Sequence, residues 1–189
     1  MLILASASPR RSELLRQINC EFICRPASCR EITAAEEPNP LELVTKNAIL
    51  KAQAAFDPAR AADDIVLGAD TVVACGGRIF GKPHDDDEAA QMLRALSGRT
   101  HQVCTGIALV KGGAIWHDAA ITDVVMKELG DEEIASYVRS GEPRDKAGAY
   151  AVQGLAAVFI KKIDGSYSNV VGLPLNCLYE LMQKAGVPL

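Results

Sequence analysis

Residues 2–16, with the sequence LILASASPRRSELLR, predict a short apolar strand, a turn of small residues and then a helix. Ser8 suits the N-cap position and Pro9 the first helical position. A strand that leads through small residues into a helix N-terminus leaves backbone N–H groups available, and the helix dipole there attracts an anion. Arg10 and Arg11 add two positive charges to the same turn. The stretch therefore indicates either a phosphate-binding turn or an ordinary capped helix with solvated arginines.

The composition is typical of a globular protein of 189 residues, with 49% apolar residues, 23% charged residues and a net charge of -4. A mildly acidic chain is a poor candidate for a large nucleic-acid surface, although it can hold a local basic pocket. No apolar run approaches the ~20 residues of a membrane span, and the amino-terminal apolar run is a strand rather than a signal peptide. We therefore expect a cytoplasmic protein with no nucleic-acid or membrane partner.

Several common catalytic or metal-binding motifs are missing from the sequence. The six cysteines include no Cys-x-x-Cys pair and no zinc-ligand spacing, so we predict mostly reduced, small core-filling residues. The histidines (His84, His101 and His117) form no motif, and the Gly-x-Ser-x-Gly nucleophile motif is absent. Gly77 to Lys82 is one spacer short of a Walker A loop, and Pro83 stands where that loop has Ser or Thr. The sequence thus indicates neither a covalent nucleophile nor a P-loop.

Periodicity and turn residues divide the chain into alternating elements. The predicted strands are Leu2–Leu4, Cys20–Arg25, Ile65–Ala74, Ile79–Pro83, His101–Val110, Ala114–Lys127, Ala157–Ile163 and Tyr167–Val171. Five helices are predicted: one after Ser8, one from about Leu41 to Phe56, one whose first turn holds residues 85–88, one capped by Asp131 and one that starts at Pro174. This alternation favours a mixed α/β or α+β sheet with flanking helices, without internal repeats or linkers.

Asp70 lies in the middle of the clearest strand, beside Gly68 and Ala69. Aspartate is disfavoured in strands and costly to bury without a partner. We therefore interpret Asp70 as an active carboxylate with room beside it for a ligand; the alternative is a structural hydrogen bond. Glu31, in the polar connection before the first long helix, is a second acid of interest.

Scattered cations complete the pattern. Lys51 has no acid four residues before it, so an i,i+4 ion pair does not explain it, and Lys82 lies on a rigid turn between Gly81 and Pro83. Together with Arg10 and Arg11, these side chains suit a polyphosphate. Asp70 and Glu31 suit a divalent cation, because magnesium typically takes one or two carboxylates plus substrate phosphates.

Over essentially its whole length the chain resembles the Maf-type nucleoside triphosphate pyrophosphatases. The matching motifs are short but occur together and in order. They are Ala5–Arg11, Lys51-Ala52, Gly68–Val73, Gly81-Lys82-Pro83, Leu96-Ser97-Gly98, Asp145–Tyr150, Gln153-Gly154 and Val171–Pro174.

The resemblance implies an elongated, two-lobed α/β fold of the Maf and ITPase-like kind: a mixed β-sheet with flanking helices and a central cleft. Residues 1–189 would form a single domain, its two lobes placed around the nucleotide cleft. It also implies hydrolysis of a nucleoside triphosphate to the monophosphate and pyrophosphate with a divalent cation, Mg or Mn. Homodimers are frequent in such a family.

The resemblance also assigns roles to individual residues. Asp70 would be the proton acceptor that activates water, and Asp70 and Glu31 would bind the metal. Arg10, Thr71 and Gln153 match the specificity positions. The expected phosphate-binding residues are Ser8, Arg11, Lys51 and Lys82.

The specificity positions favour the dTTP/UTP branch. A related branch that prefers 7-methyl-GTP tends to carry an aromatic residue, Gln and Glu where this chain has Arg10, Thr71 and Gln153. A carboxylate suits a cationic methylated guanine edge, which offers donors. Gln153 offers both a donor and an acceptor, which fits the imide edge of thymine or uracil.

Three functions follow from these residues. The first is a dTTP/UTP pyrophosphatase, which would also take modified pyrimidine triphosphates. The second is a nucleotide-binding regulator of cell division that binds without turnover. The third is a pyrophosphatase for modified or deaminated purine nucleotides.

The chain departs from the family at Arg30, which stands directly before Glu31 where the family often has more acidic residues. A positive charge there would alter the affinity of Glu31 for a metal ion.

Overall fold

A computed structural model describes residues 1–57 and 64–187. Its strands are β1 (Leu2–Leu4), β2 (Phe22–Cys24), β3 (Ile65–Cys75), β4 (Arg78–Phe80), β5 (Thr100–Lys111), β6 (Ala114–Met126) and β7 (Ile160–Asp164). Its helices are α1 (Pro9–Gln17), α2 (Pro40–Ala55), α3 (Asp86–Leu96), α4 (Asp131–Arg139), α5 (Tyr167–Val171) and α6 (Leu175–Lys184). Short 3₁₀ helices cover Glu142–Asp145, Ala147–Ala149 and Leu155–Phe159.

The strands form a seven-stranded mixed sheet in the order β2-β1-β3-β5-β6-β7, with β4 paired to β3. Strand β1 is parallel to both β2 and β3, whereas the β3–β4 and β6–β7 pairs are antiparallel. Gly112 and Gly113 join β5 to β6 at φ angles of 55° and 85°, which a tight two-residue hairpin turn requires. The predicted α/β class with a mixed sheet and flanking helices is confirmed.

The chain divides into two compact units. The first comprises residues 1–70, 105–120 and 172–189, and the second comprises residues 71–104 and 121–171. The predicted single domain with two lobes around a nucleotide cleft stays a prediction, and its residues 58–63 and 188–189 lie outside the described part of the chain.

The core of the first unit is built from small side chains. Ala48, Ala52 and Ala55 of α2 pack against apolar residues of β1, β3 and β5. A Cβ atom at Gly68 of β3 would lie 2.1 Å from the Ala48 carbonyl oxygen, and one at Gly106 of β5 would lie 2.4 Å from the Val44 carbonyl oxygen. Helix α2 therefore rests directly on the backbone of two strands, which only glycine permits at such distances.

In the second unit, α3 and α4 carry the larger apolar side chains. Met92, Leu93 and Leu96 of α3 and Ile134 of α4 are buried. Tyr137 of α4 packs edge-to-face on Phe159, with ring centroids 5.4 Å apart. Aromatic pairs in this geometry contribute about 0.5–1.5 kcal/mol beyond their buried area.

Two predicted strands are wrong, wholly or in part. Tyr167–Val171 forms helix α5, because the Ser166 hydroxyl accepts a hydrogen bond from the Asn169 backbone N–H at its start. The buried Asn169 amide then donates to the Val103 carbonyl, which fixes the short helix in place. The predicted strand Ala157–Ile163 is a 3₁₀ helix up to Phe159 and a strand only from Ile160.

The predictions for the start of α4 and for the cysteines hold in part. Helix α4 begins at Asp131, although Gly130 rather than Asp131 occupies its N-cap position. All six cysteines are free of disulfides, as predicted, but only Cys75 and Cys104 are fully buried, so the core-filling role applies to these two. None of the helices in the described residues is both long and apolar enough to cross a membrane.

Candidate active site

Asp70 is a buried carboxylate on β3, with 8% of the residue exposed. Its Oδ1 accepts a hydrogen bond from the Lys51 ammonium at 2.7 Å, and its Oδ2 accepts one from the Asn47 side-chain amide at 3.2 Å. Both partners come from α2 and are four residues apart, so they lie on one face of that helix. The ion pair and the amide offset the cost of burying the charge.

The close packing of α2 on the sheet is what brings these side chains together. Gly68 lies two residues before Asp70, and the backbone of α2 at Ala48 and Ala52 approaches it closely. Asn47 and Lys51 immediately precede those two alanines. The distance between α2 and the Asp70 carboxylate is therefore determined by backbone contact, because no layer of side chains lies between the helix and Gly68.

Glu31 joins the cluster through Lys51. The Lys51 Nζ lies 3.0 Å from Glu31 Oε2 as well as 2.7 Å from Asp70 Oδ1, so one ammonium bridges two carboxylates. The Glu31 side chain is 53% exposed, whereas that of Lys51 is only 14% exposed. The structure thus brings together three of the predicted site residues, Glu31, Lys51 and Asp70.

Asn47 also holds the connection that carries Glu31. Its side chain accepts a hydrogen bond from the Ile32 N–H at 2.8 Å and donates one to the Ile32 carbonyl at 3.0 Å. This two-point contact fixes the residue after Glu31 while the same amide reaches Asp70. Sequence reasoning missed Asn47, although its spacing of four residues from Lys51 on α2 was a usable signal.

The turn between β1 and α1 is held by Arg11. Its Nε donates to the Gly172 carbonyl at 2.8 Å, and its Nη1 donates to the Ser6 hydroxyl at 3.0 Å. Burial lowers the pKa of Arg11, and the negative charge of Asp70 raises it in opposition. The Arg11 guanidinium therefore stabilises its own turn through two hydrogen bonds, and its pKa responds to the charge of Asp70.

Ser8 and Arg10 lie at the start of α1. Ser8 occupies the predicted N-cap position, but its side chain makes no capping hydrogen bond; its backbone N–H donates to the Ser6 hydroxyl at 3.2 Å. Arg10 lies in the first helical turn and is half-buried. The predicted N-cap position is confirmed, and the predicted phosphate-binding role of this turn stays a prediction.

Thr71, Lys82 and Gln153 belong to the second unit. Thr71 follows Asp70 on β3 and is half-buried, whereas Lys82 and Gln153 are exposed. The Gly81 carbonyl, next to Lys82, accepts a hydrogen bond from the Gly148 N–H at 3.0 Å. Gly148 has a φ of 67° and packs so tightly on Val73 that a Cβ there would lie 2.8 Å from it. These contacts order the loops that carry the predicted residues.

Comparison with known proteins identifies the relationship. Residues 1–185 match the family described as Maf-like protein. The chain belongs to the Maf family. The dTTP/UTP pyrophosphatase of Koribacter versatilis is 45% identical over 98% of this chain and 95% of its own length. The proteins of the same name from Shigella dysenteriae and Agathobacter rectalis are 50% and 44% identical, over 96% and 98% of this chain and 91% and 98% of their own lengths.

A solved structure, that of the Staphylococcus aureus Ham1 protein, is also similar. It covers 66% of this chain and 71% of its own, with 15% sequence identity and a TM-score of 0.45. A score at that level supports no conclusion about function, so membership of the Maf family rests on the sequence.

The donor set at Asp70 suits a divalent cation only in part. Among residues 1–57 and 64–187, no three His, Cys, Asp or Glu side chains are grouped so that they could hold a metal ion. Two carboxylates, Asp70 and Glu31, do face one cationic position, which the Lys51 ammonium fills. Two hard oxygen donors are what magnesium takes from a protein when phosphates and water supply the remaining ligands.

Proposed function

We propose that this member of the Maf family hydrolyses dTTP and UTP to the nucleoside monophosphates and pyrophosphate. The observation that carries the proposal is the buried Asp70 carboxylate held by Lys51 and Asn47. The names of the Koribacter, Shigella and Agathobacter relatives support the same activity and the same two substrates.

In the proposed reaction, Asp70 accepts a proton from a water molecule. The water oxygen attacks the α-phosphorus, a new P–O bond forms, and the bond from the α-phosphorus to the α,β-bridging oxygen breaks, which releases pyrophosphate. Asp70 retains lone pairs for this task, because a carboxylate can accept about four hydrogen bonds and here receives one from Lys51 and one from Asn47. The two partners fix the direction in which the carboxylate faces, which is the main requirement of a positioned base.

The charge that develops on the phosphates needs cationic partners. We assign this role to Arg11, Lys51 and Lys82, with the Ser8 backbone and hydroxyl at the start of α1. Arg10, Thr71 and Gln153 are the proposed specificity residues. The Gln153 amide pairs with the imide edge of thymine or uracil through one donor and one acceptor.

Asp70 and Glu31 are the proposed ligands of a divalent cation, either Mg or Mn. When bound, such an ion would neutralise charge on the phosphate oxygens and help the pyrophosphate group to leave. For these carboxylates to take up the ion, Lys51 must turn from the position between them toward the phosphates. We also propose that the protein requires this divalent cation, is located in the cytoplasm and forms a homodimer.

The decisive variant is Asp70→Asn, which keeps the shape of the side chain and one oxygen that can accept from Asn47, but removes the base and its ion pair with Lys51. We expect kcat for dTTP to fall on the order of 10²–10⁴-fold, the usual effect of losing a general base. Pyrophosphate release measures the rate, and circular dichroism checks the fold. Asp164→Asn, at an exposed acid of β7, is the matched control and should turn over like the wild type. An Asp70→Asn protein with wild-type kcat would exclude Asp70 from the chemistry.

A panel of nucleoside triphosphates separates this function from its alternatives. We expect pyrophosphate from dTTP and UTP, and none once a chelator removes divalent cations. Saturable binding of dTTP without any product would instead indicate a nucleotide-binding regulator. Faster hydrolysis of deaminated purine triphosphates than of dTTP would indicate the modified-purine enzyme.

A further inference from the structure

The turn that carries Gln153 is held from both sides by one pair of side chains. Residues 151–154 form the turn, which is closed by a hydrogen bond of 3.1 Å from the Gly154 N–H to the Ala151 carbonyl. Gln153 lies exposed within it. Because an exposed side chain on a short turn has no packing to fix it, its position depends on how the turn itself is anchored.

The anchors are Tyr137 and Glu142. The Tyr137 hydroxyl accepts a hydrogen bond from the Ala151 N–H at 3.2 Å, on the side of the turn before Gln153. The Glu142 Oε2 accepts one from the Leu155 N–H at 3.0 Å, on the side after it. The Tyr137 hydroxyl in turn donates to Glu142 Oε1 at 2.8 Å, which connects the two anchors.

Gly154 lets this carboxylate approach the turn. A Cβ atom at Gly154 would lie 2.3 Å from Glu142 Oε2 and 2.6 Å from its Cδ. The carboxylate therefore occupies the space that any other residue at position 154 would fill. Its two hydrogen bonds also prevent it from moving aside without loss.

The Tyr137 hydroxyl can maintain its hydrogen bond to Glu142 because it is buried and stays protonated. Tyr137 is 4% exposed, and its ring packs edge-to-face on Phe159. Burial, and then the hydrogen bond to Glu142, raise the pKa of Tyr137, so the hydroxyl stays protonated and continues to donate.

We propose that Tyr137 and Glu142 are positioning residues for base selection, because together they fix the backbone on both sides of Gln153. The inference rests on the proposed function, since it takes Gln153 as the residue that reads the base. Neither side chain need touch the nucleotide. Their effect is on the preference between bases rather than on the chemical step.

Glu142→Ala removes both acceptors of the carboxylate. We expect kcat/KM for dTTP to fall on the order of tenfold, mostly through KM, while kcat/KM for dCTP changes little. The preference for dTTP over dCTP would then fall by a similar factor. Cytosine is the informative competitor, because it offers a donor where thymine offers an acceptor.

Glu142→Gln is the conservative rescue. Its amide oxygen can accept from the Leu155 N–H while its NH₂ group donates to the Tyr137 hydroxyl, which keeps the two anchors connected but leaves that hydroxyl without its acceptor, so most but not all of the preference should return. Glu132→Ala, which removes an exposed acid from the same helix as Tyr137, should also keep the wild-type preference.

Two variants test the contact from the other side. Gly154→Ala pushes the carboxylate away, and Tyr137→Phe removes only the hydroxyl while it keeps the ring contact. Both should reduce the preference as Glu142→Ala does. If Glu142→Ala fails to fold, these two carry the test instead.

The double variant Glu142→Ala with Gln153→Ala separates positioning from general support. We expect it to be no worse on dTTP than Gln153→Ala alone, because residues that act through one another are not additive. Hydrogen exchange of the peptide over residues 150–156 should accelerate in Glu142→Ala. Equal losses on dTTP and dCTP, or additive effects in the double variant, would overturn the proposal.

Failure of the proposed function would look different. A wild-type chain that releases no pyrophosphate from dTTP or UTP would remove the base-reading role of Gln153, and with it the inference about selection. An active wild type whose Glu142→Ala variant keeps its preference would overturn the inference alone, and accelerated exchange in that variant would then identify a purely structural brace.

Discussion

The Asp70 cluster and the Gln153 turn are positioned in opposite ways. Asp70 is fixed by contacts to its own carboxylate, from the Lys51 ammonium and the Asn47 amide. Gln153 is exposed, and the hydrogen bonds that surround it are made by the backbone of its neighbours. The proposed catalytic base thus has its side chain buried and paired, whereas the proposed base-reading residue lies exposed on an anchored turn.

The two regions also differ in how far apart along the chain the hydrogen-bonded partners lie. The cluster at Asp70 depends on partners 19 and 23 positions away along the chain. The turn at Gln153 depends on partners 13 and 14 positions apart, Glu142 to Leu155 and Tyr137 to Ala151. In both regions the partners are polar, and Lys51 is the one among these four partners that the sequence singled out.

The largest effect is expected where α2 rests on β3. Gly68→Ala puts a methyl group 2.1 Å from the Ala48 carbonyl oxygen and 2.7 Å from the Ala52 N, and neither backbone atom can move aside alone. We expect a loss of about 3 kcal/mol in the free energy of unfolding, at the upper end of overpacking effects, and a large loss of activity as Lys51 shifts from Asp70.

Urea denaturation and pyrophosphate release measure the two losses. Gly81→Ala is the stability control, because a Cβ at Gly81 meets no atom within 4 Å among the described residues and its φ is not in the left-handed region. If Gly68→Ala were as stable as Gly81→Ala, the backbone contact at Gly68 would not determine the position of α2 on β3.

A second effect concerns His101, whose partner Tyr150 directly precedes the turn that carries Gln153. His101 is 1% exposed, its Nε2 is hydrogen-bonded to the Tyr150 hydroxyl at 2.7 Å, and its Nδ1 has no partner among the described residues. Burial lowers the pKa of His101 to about 4, against a weaker opposing effect of Asp123. Protonation would create a buried charge and a second N–H without an acceptor.

The unfolded chain binds the proton near pH 6.5 and the folded chain only near pH 4, so acid favours unfolding. Stability should be complete above pH 6.5 and decline as the pH falls towards 4, by up to about 3 kcal/mol from this group. Denaturation at pH 7.0, 5.5 and 4.5 measures the slope. A His101→Asn protein, whatever its absolute stability, should have a shallower slope, and an identical slope would refute the assignment.

The smallest of the three effects is expected at Asn47. Asn47→Ala removes two hydrogen bonds to Ile32 and one to Asp70, all from a residue that is 3% exposed. We expect a loss of about 2 kcal/mol in stability, the scale for leaving buried polar groups without partners, and a smaller loss of kcat than in Asp70→Asn.

Thermal unfolding and turnover of dTTP check this prediction. Gln53→Ala, on an exposed position of the same helix, controls for the change to alanine in α2. Stability equal to that of Gln53→Ala would mean that Glu31 and Asp70 are held without help from Asn47.

Much of this architecture was predictable because local signals agree with the fold. Ser8-Pro9, the Gly76-Gly77 turn and the apolar run around Asp70 predicted where α1, β4 and β3 begin to within one residue. The failures occurred where a polar side chain overrides propensity. Tyr167–Val171 has the β-branched and aromatic residues of a strand, but the Ser166 cap and the buried Asn169 amide make it a helix.

The candidate site was predictable in its residue types and only partly in its contacts. Asp70 stood out because an acid in a buried strand is unusual, and Lys51 because no local acid explained it. Its partner acids, Glu31 and Asp70, are 20 and 19 positions away, beyond the reach of any helical spacing rule. Glu142 gave no signal of this kind, and Asn47 gave only its spacing of four residues from Lys51, so the folded contacts were needed to identify both.

The backbone contact of α2 with β3 and β5 also limits which substitutions this protein can accept. Where a helix and a strand touch backbone to backbone, no compressible side chain lies between them to absorb an added methyl group. An added methyl group at Gly68 would therefore displace the part of α2 that carries Asn47 and Lys51. Attempts to diversify this enzyme should therefore leave that contact untouched and vary positions such as Gly112 and Gly113, where a Cβ would meet no atom within 4 Å among the described residues, although their positive φ angles favour small or polar residues there.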